Sequence, residues 1–433
     1  MTIEAYRCAT GSMIGGVRLS CSRARLVLRR RLASTPHSRW VGVAVIWAMA
    51  KVALCGSLLL ACVCQGGGTL AAASLPNAFP LSIATAADGS VWFIQNAGIE
   101  RIAPNGQMTL VRVPGIRQLI ANSPGEFSAT EACLFACGQT IVSGKDGSLY
   151  FITSVGIDRM VPGGRLSELP ITWPAGWFGR LENLTVAPDG SVWVAAHCRT
   201  PQQALDTSEE CIASITSNSQ QVRWLAPVIG ADSMLAPSLE DTLWLALGHS
   251  VSRIDPHGRT LFRRTFPTVQ SRGPAALGGA TVSSLFGVAA GKDGSLWFGA
   301  NLSGGSSVGG LGHIAADGAV VVYPVPYAAY SGIPAAIAIA KDGSAWFTEV
   351  MSNRIGALTP QGKVRTFAVP AEPYDVTAGV ALNERTGITL GGDGNMWFTE
   401  TCTNSIGRVT PTGKITRFHI PGTASRAPDW CFG

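Results

Sequence analysis

Charge is what this chain has least of. Asp, Glu, Lys and Arg make up 14% of its 433 residues, against about a quarter in an average soluble domain. The charge it has is unevenly placed. Of 33 Lys/Arg and 27 Asp/Glu, residues 1–64 hold nine basic and one acidic, leaving 24 basic and 26 acidic elsewhere. The formal +6 therefore belongs to the N-terminus, and the near-neutral remainder offers no electrostatic case for nucleic acid. Catalytic signatures are also scarce. No Ser/His/Asp arrangement occurs, and no Cys/His cluster has zinc spacing. Gly304-Gly305 and Gly309-Gly310 lie in a connection between strands rather than between a strand and a helix, which excludes a nucleotide loop.

Turn formers are abundant, with 51 Gly and 25 Pro. Residues 387–421 show how they are used. An apolar segment, 387–390, runs into Asp393-Gly394, a hairpin signal, and Met396-Trp397-Phe398-Thr399 follows as a strand. A third strand spans 406–410, Pro411-Thr412-Gly413 turns the chain, and a fourth strand alternates over 414–420 until Pro421. The rest of the chain repeats this unit. Its aromatic recurs at Trp92, Tyr150, Trp193, Trp244, Trp297, Trp346 and Trp397. An Asp-Gly precedes six of the seven, and Glu240-Asp241 takes its place in the fourth.

One such unit cannot bury both faces of its sheet, whereas a ring of them buries both and leaves only short edges. The expected fold is all-β, a seven-bladed β-propeller of four-stranded antiparallel blades over residues 81–421. A basic leader and signal or anchor segment (1–64) and a linker (65–80) precede it, and a tail (422–433) follows. Blades are expected to start near Leu81, Thr140, Leu184, Ser233, Leu285, Ala336 and Gly387. The A–B and C–D turns stay tight. Extra residues fall in the D–A connections (115–139, 268–284, 371–386) and the B–C connections (199–210, 302–310), so one face carries all the elaboration. Variable loops on a rigid scaffold are where binding usually resides.

Residues 41–63 are apolar apart from Lys51 and a few small polar residues. They read as a signal peptide behind a long basic leader, as a membrane anchor, or, the reading we favour, as a signal peptide starting at Met49. In that last reading Leu59-Leu60-Ala61-Cys62 resembles a bacterial lipobox, with Cys62 lipidated and the Gly-rich run after it as a tether. All three put the propeller outside the cytoplasm, with membrane contact only through the N-terminus, as a periplasmic or surface monomer. Beyond Cys64 stand six cysteines, Cys133, Cys137, Cys198, Cys211, Cys402 and Cys431. An even count outside the cytoplasm suggests disulfides. Their positions on the blade map favour Cys133–Cys137, Cys198–Cys211 and Cys402–Cys431.

The pattern Trp-Phe-Thr-Glu…Asn-x-Ile-Gly occurs as Trp346–Glu349 with Asn353–Gly356, and as Trp397–Glu400 with Asn404–Gly407. It resembles the repeat of the virginiamycin B lyases, also called streptogramin B lyases. The resemblance covers residues 80–421, sharpest in the last two blades. It implies a seven-bladed propeller, Mg²⁺, a His base and elimination across the ester of a cyclic peptide antibiotic. Placed by register, the family's carboxylates fall on Glu384 and Glu400, the pair expected to share the hard cation. Its catalytic His falls on Thr386 and a second His on Ala335, so efficient lyase activity is not expected. Glu349 repeats Glu400 one blade earlier, which favours a structural role for both. Tyr374 belongs to a similar sequence out of register, Glu372-Pro373-Tyr374. His197 and His249 end B strands on the elaborated face, where a satisfied side chain competes with a ligand role. The other functional class is a non-catalytic propeller that binds a protein, peptide or glycan of the cell envelope.

Overall fold

The computed structural model describes residues 3–10, 19–26, 78, 80–95, 98–113, 141–153, 156–199, 209–216, 221–225, 233–266, 281–303, 308–325, 332–350, 352–370 and 387–423. The chain divides into two units, Met1–Ala72 and Ala73–Gly433. In the first, Ile3–Thr10 pairs antiparallel with Leu19–Leu26, a hairpin that the lack of a core-forming period did not suggest.

The second unit holds seven four-stranded sheets, over 83–112, 141–169, 178–224, 234–265, 281–324, 333–368 and 388–419. Each is an antiparallel meander of consecutive strands A to D, with no strand exchanged between blades. The A–B turns form as the sequence predicts. In the first blade Ala86 N donates to Ser90 O and Gly89 N to Ala86 O, and Asp88 Oδ1 accepts the Ser90 amide at 2.9 Å. Only the glycine takes positive φ. The aspartate contributes its side chain, so the loop is a turn closed by a glycine bulge rather than a two-residue hairpin. Glu240 and Asp241 adopt φ of 55° and 57° in the fourth blade, where the glycine is missing.

Blades 3 and 5 depart from the expected boundaries. Their A strands, Phe178–Val186 and Thr281–Ala290, begin before Leu184 and Leu285. In blade 5 the pairing of Leu296–Ser303 with Val308–Ile314 absorbs 302–303 and 308–310 of the B–C insertion; in blade 3 strand reaches its two ends, where Arg199 ends strand B and Glu209 begins strand C. Polar or Gly-rich residues inside a lengthened hairpin look like loop, because cross-strand pairing satisfies their backbone without an apolar signature.

The repeated motif is explained by packing. Phe398 is fully buried and its ring lies over Gly407, where an added Cβ would come within 2.1 Å of it; Phe347 and Gly356 repeat this contact at 2.2 Å. Trp397 stacks on Phe418 of strand D, with Arg408 over both rings. Thr399 Oγ1 accepts from Gly387 N and donates to Leu81 O, joining the last blade to the first. Asn353 and Asn404 turn the chain from B to C at φ of 51° and 48°, a conformation Asn tolerates. The core runs between blades, and the ring is closed by one cluster in which Ile83, Val91 and Phe93 meet Trp397, Ile406 and Ile420. Ala78 N donates to Asn404 Oδ1 at 2.9 Å and Thr401 Oγ1 to Pro80 O at 2.7 Å, latching the entering chain onto the last blade.

Candidate functional site

The innermost strands of all seven blades line a central cavity of about 280 Å³. Its wall is uncharged and mixes small residues, such as Thr85, Ser143, Ala335 and Thr389, with larger apolar ones, Met234 and Phe286 among them. Ala335 lies at a bulge where strand A of blade 6 breaks register between Pro334 and Ile337, and its carbonyl presses on Gly287 of blade 5, which has φ +32°. The position therefore reaches the cavity, but its methyl group cannot carry a proton.

Glu400 ends strand B of the last blade, fully buried. Its Oε2 accepts from Arg417 Nε at 2.6 Å, lies 2.5 Å from Nη2, and meets Thr403 Oγ1 at 3.3 Å. Glu349, one blade earlier, is equally buried, but its Oε2 accepts from Ser352 Oγ at 3.0 Å. Burial raises its pKa, partly offset by Ser352 and the charge of Arg354. The two glutamates hold equivalent places near the ends of their B strands, but their partners differ. Among the described residues the donor set at Glu400 does not by itself fit Mg²⁺. A hard cation asks for several oxygens, and here one carboxylate already holds a guanidinium. Glu384, Thr386 and Tyr374 lie outside the described residues, as do Cys62, Cys133, Cys137 and Cys431; nothing is described of the Cys402 side chain. His249 is exposed in the short B–C turn of blade 4 and, among the described residues, joins no cluster of metal-ligating side chains.

His197 does join one. It sits near the end of strand B of blade 3, opposite Glu210 on strand C and Arg180 on strand A. Glu182 is the extra residue of a bulge between Leu181 and Asn183, and bulges re-aim a side chain. His197 Nε2 is 2.9 Å from Glu182 Oε2. Nδ1 is 2.9 Å from Glu210 Oε1, an ion-pair distance without the alignment of a hydrogen bond. Arg180 Nη2 meets the other oxygen of Glu182 at 2.6 Å. Burial alone would lower the His197 pKa, but its contacts with Glu182 and Glu210 outweigh this and raise it to about 10. Cys198 and Cys211, next in sequence to His197 and Glu210, form the expected disulfide, which is consistent with a location outside the reducing cytoplasm. Sequence reasoning singled out His197 but neither glutamate. The usable signal was the paired Cys198 and Cys211, each preceded by a polar residue that the register sets face to face.

A closed seven-bladed propeller, with an uncharged axial cavity and buried carboxylates at the ends of its B strands, defines the class of protein. The chain belongs to the Virginiamycin B lyase family, whose profile matches residues 116–383 and 286–429. A virginiamycin B lyase from Nocardia farcinica is 33% identical over 151 residues, 35% of this chain and 47% of the relative, so the match spans about half the relative's length. A streptogramin B lyase structure shares the fold with a TM-score of 0.54 and 22% identity, over 79% of this chain and 95% of the other. A catalytically inactive histidine-to-alanine variant of the Staphylococcus aureus virginiamycin B lyase, with quinupristin, gives 0.51 and 20% over 80% and 96%.

Proposed function

We propose that this chain is an exported virginiamycin B lyase-like propeller that binds a small cyclic peptide at its elaborated face and does not open it efficiently. The observation that carries the reading is Ala335. It stands on the cavity wall where the family resemblance asks for a histidine, and it offers neither base nor acid. Elimination needs a group that takes a carbon-bound proton and a cation that stabilises the charge left behind. Thr386 occupies the other histidine position and cannot act as a base near neutral pH. Glu400, one of the two carboxylates that would share a Mg²⁺, already carries the Arg417 guanidinium on Oε2. His197 is committed to two carboxylates in blade 3, four blades along the chain from blade 7.

Calorimetric titration with quinupristin, followed by mass spectrometry of the recovered peptide, tests this reading. Saturable binding with the ligand recovered intact supports it; no binding, or a linearised product at every turnover, contradicts it. Export rests on the basic leader, the apolar run and Leu-Leu-Ala-Cys. Mass spectrometry of the membrane fraction should find a chain beginning at lipidated Cys62; an intact N-terminus in the cytosol would refute export.

A further inference from the structure

We propose that Glu182, His197 and Glu210 of blade 3 bind one divalent ion of the zinc class, at a site separate from the axial cavity and from Glu400. Three neighbouring strands of one blade bring one imidazole nitrogen and two carboxylates together, with ligand atoms all within 4.8 Å of one another. One nitrogen and two oxygens, with water completing the shell, is a donor set that zinc accepts. A tetrahedral ion with ligands at about 2.0–2.1 Å holds them about 3.4 Å apart. Glu182 now faces Nε2 of His197 and Glu210 faces Nδ1, so one ion would take a single nitrogen and draw the other carboxylate round to it.

A second observation separates this cluster from an ordinary acidic surface. Glu210 is 0% exposed, and neither of its carboxylate oxygens accepts a hydrogen bond among the described residues. A buried carboxylate in that condition is costly unless a cation compensates it. Among the described residues, Arg180 pairs with Glu182 and leaves His197 to face the charge of Glu210. A proton on His197 fills that role in the absence of metal. A divalent ion takes it over, coordinating the imidazole and releasing the proton to solvent.

The surroundings favour a preformed site. The Glu182 bulge and the direct pairing of His197 with Glu210 fix the ligands, and the Cys198–Cys211 disulfide ties strands B and C beside them. His197, with 26% of its side chain exposed, gives the ion a route in from solvent.

The test uses the full chain, stripped with chelator and dialysed against Zn²⁺, with bound metal counted by mass spectrometry and its ligands read by X-ray absorption. We expect one zinc per chain with nitrogen and oxygen neighbours. Glu210→Gln should weaken binding at least tenfold while keeping the wild-type circular dichroism, and Glu349→Gln should leave it unchanged. No zinc on the wild type, sulfur in the coordination shell, or equal binding by folded Glu210→Gln would overturn the proposal. If Glu210→Gln does not fold, the stoichiometry and absorption spectrum of the wild type decide the matter alone.

Discussion

Arg417 holds Glu400: two guanidinium nitrogens lie 2.5 and 2.6 Å from one carboxylate oxygen that is wholly buried, and Nη2 also donates to Pro370 O at 2.7 Å. Such a pair is strongly destabilising to break from one side, because the surviving charge is left uncompensated. Glu400→Gln should cost about 3 kcal/mol in urea denaturation. Removing both partners, as Glu400→Leu with Arg417→Met, should recover most of that loss. A neutral single variant would mean that the pair does not form in solution.

Glu349 should respond in the opposite direction. Its folded pKa is raised by burial, so the folded state favours the protonated acid. The group's contribution is most favourable below the ordinary carboxylate pKa and declines as pH rises from that value to the raised one. Glu349→Gln should therefore be neutral or stabilising at pH 7, and its advantage over the wild type should shrink as pH falls toward 4. Denaturation midpoints at several pH values check this; a variant that loses stability at pH 7 would contradict it.

The Cys198–Cys211 bridge closes a short loop, with a sequence separation of 13, and such loops are worth about 2–3 kcal/mol. Non-reducing peptide mapping should recover this pair, together with Cys133–Cys137 and Cys402–Cys431 as expected from the sequence. Reduction should lower the melting temperature. Free thiols at Cys198 and Cys211 would rule the bridge out.

Asn404 and Asn353 share a left-handed backbone, but only Asn404 also receives the Ala78 amide at the ring closure. Replacing either by Ala should cost about 1–2 kcal/mol for the backbone alone. Each variant also loses a side-chain hydrogen bond worth about 1 kcal/mol, from Asn353 Nδ2 to Val369 O and from Ala78 N to Asn404 Oδ1. A loss at Asn404 no larger than the backbone cost would show that the entering segment does not contribute to closure.

The fold was legible because its signals are local. Asp-Gly turns, a strand aromatic and a closing proline recur in fixed order, and each demands a specific backbone. The Trp-Phe-Thr-Glu…Asn-x-Ile-Gly motif could be recognised as a pattern, but its purpose needed coordinates. Gly407 makes room for Phe398, Thr399 bridges to the first blade, and Glu400 answers Arg417. Most of that motif builds the ring. The blade 3 cluster was not legible: Glu182 and Glu210 are 28 positions apart in sequence, and they meet His197 only through a bulge and a cross-strand register. The lengthened hairpins of blades 3 and 5 were missed for a related reason, since their polar residues look like loop until their pairing partners are known.

The most direct measurement of the central claim is the rate at which purified, Mg²⁺-supplemented protein opens a streptogramin B ring, with Thr386→His assayed beside it. Loss of a positioned base typically costs about 10²–10⁴-fold. The wild type should therefore show no more than a trace of linear product, and any gain should appear in the Thr386→His variant alone. Robust turnover by the wild type would contradict the account.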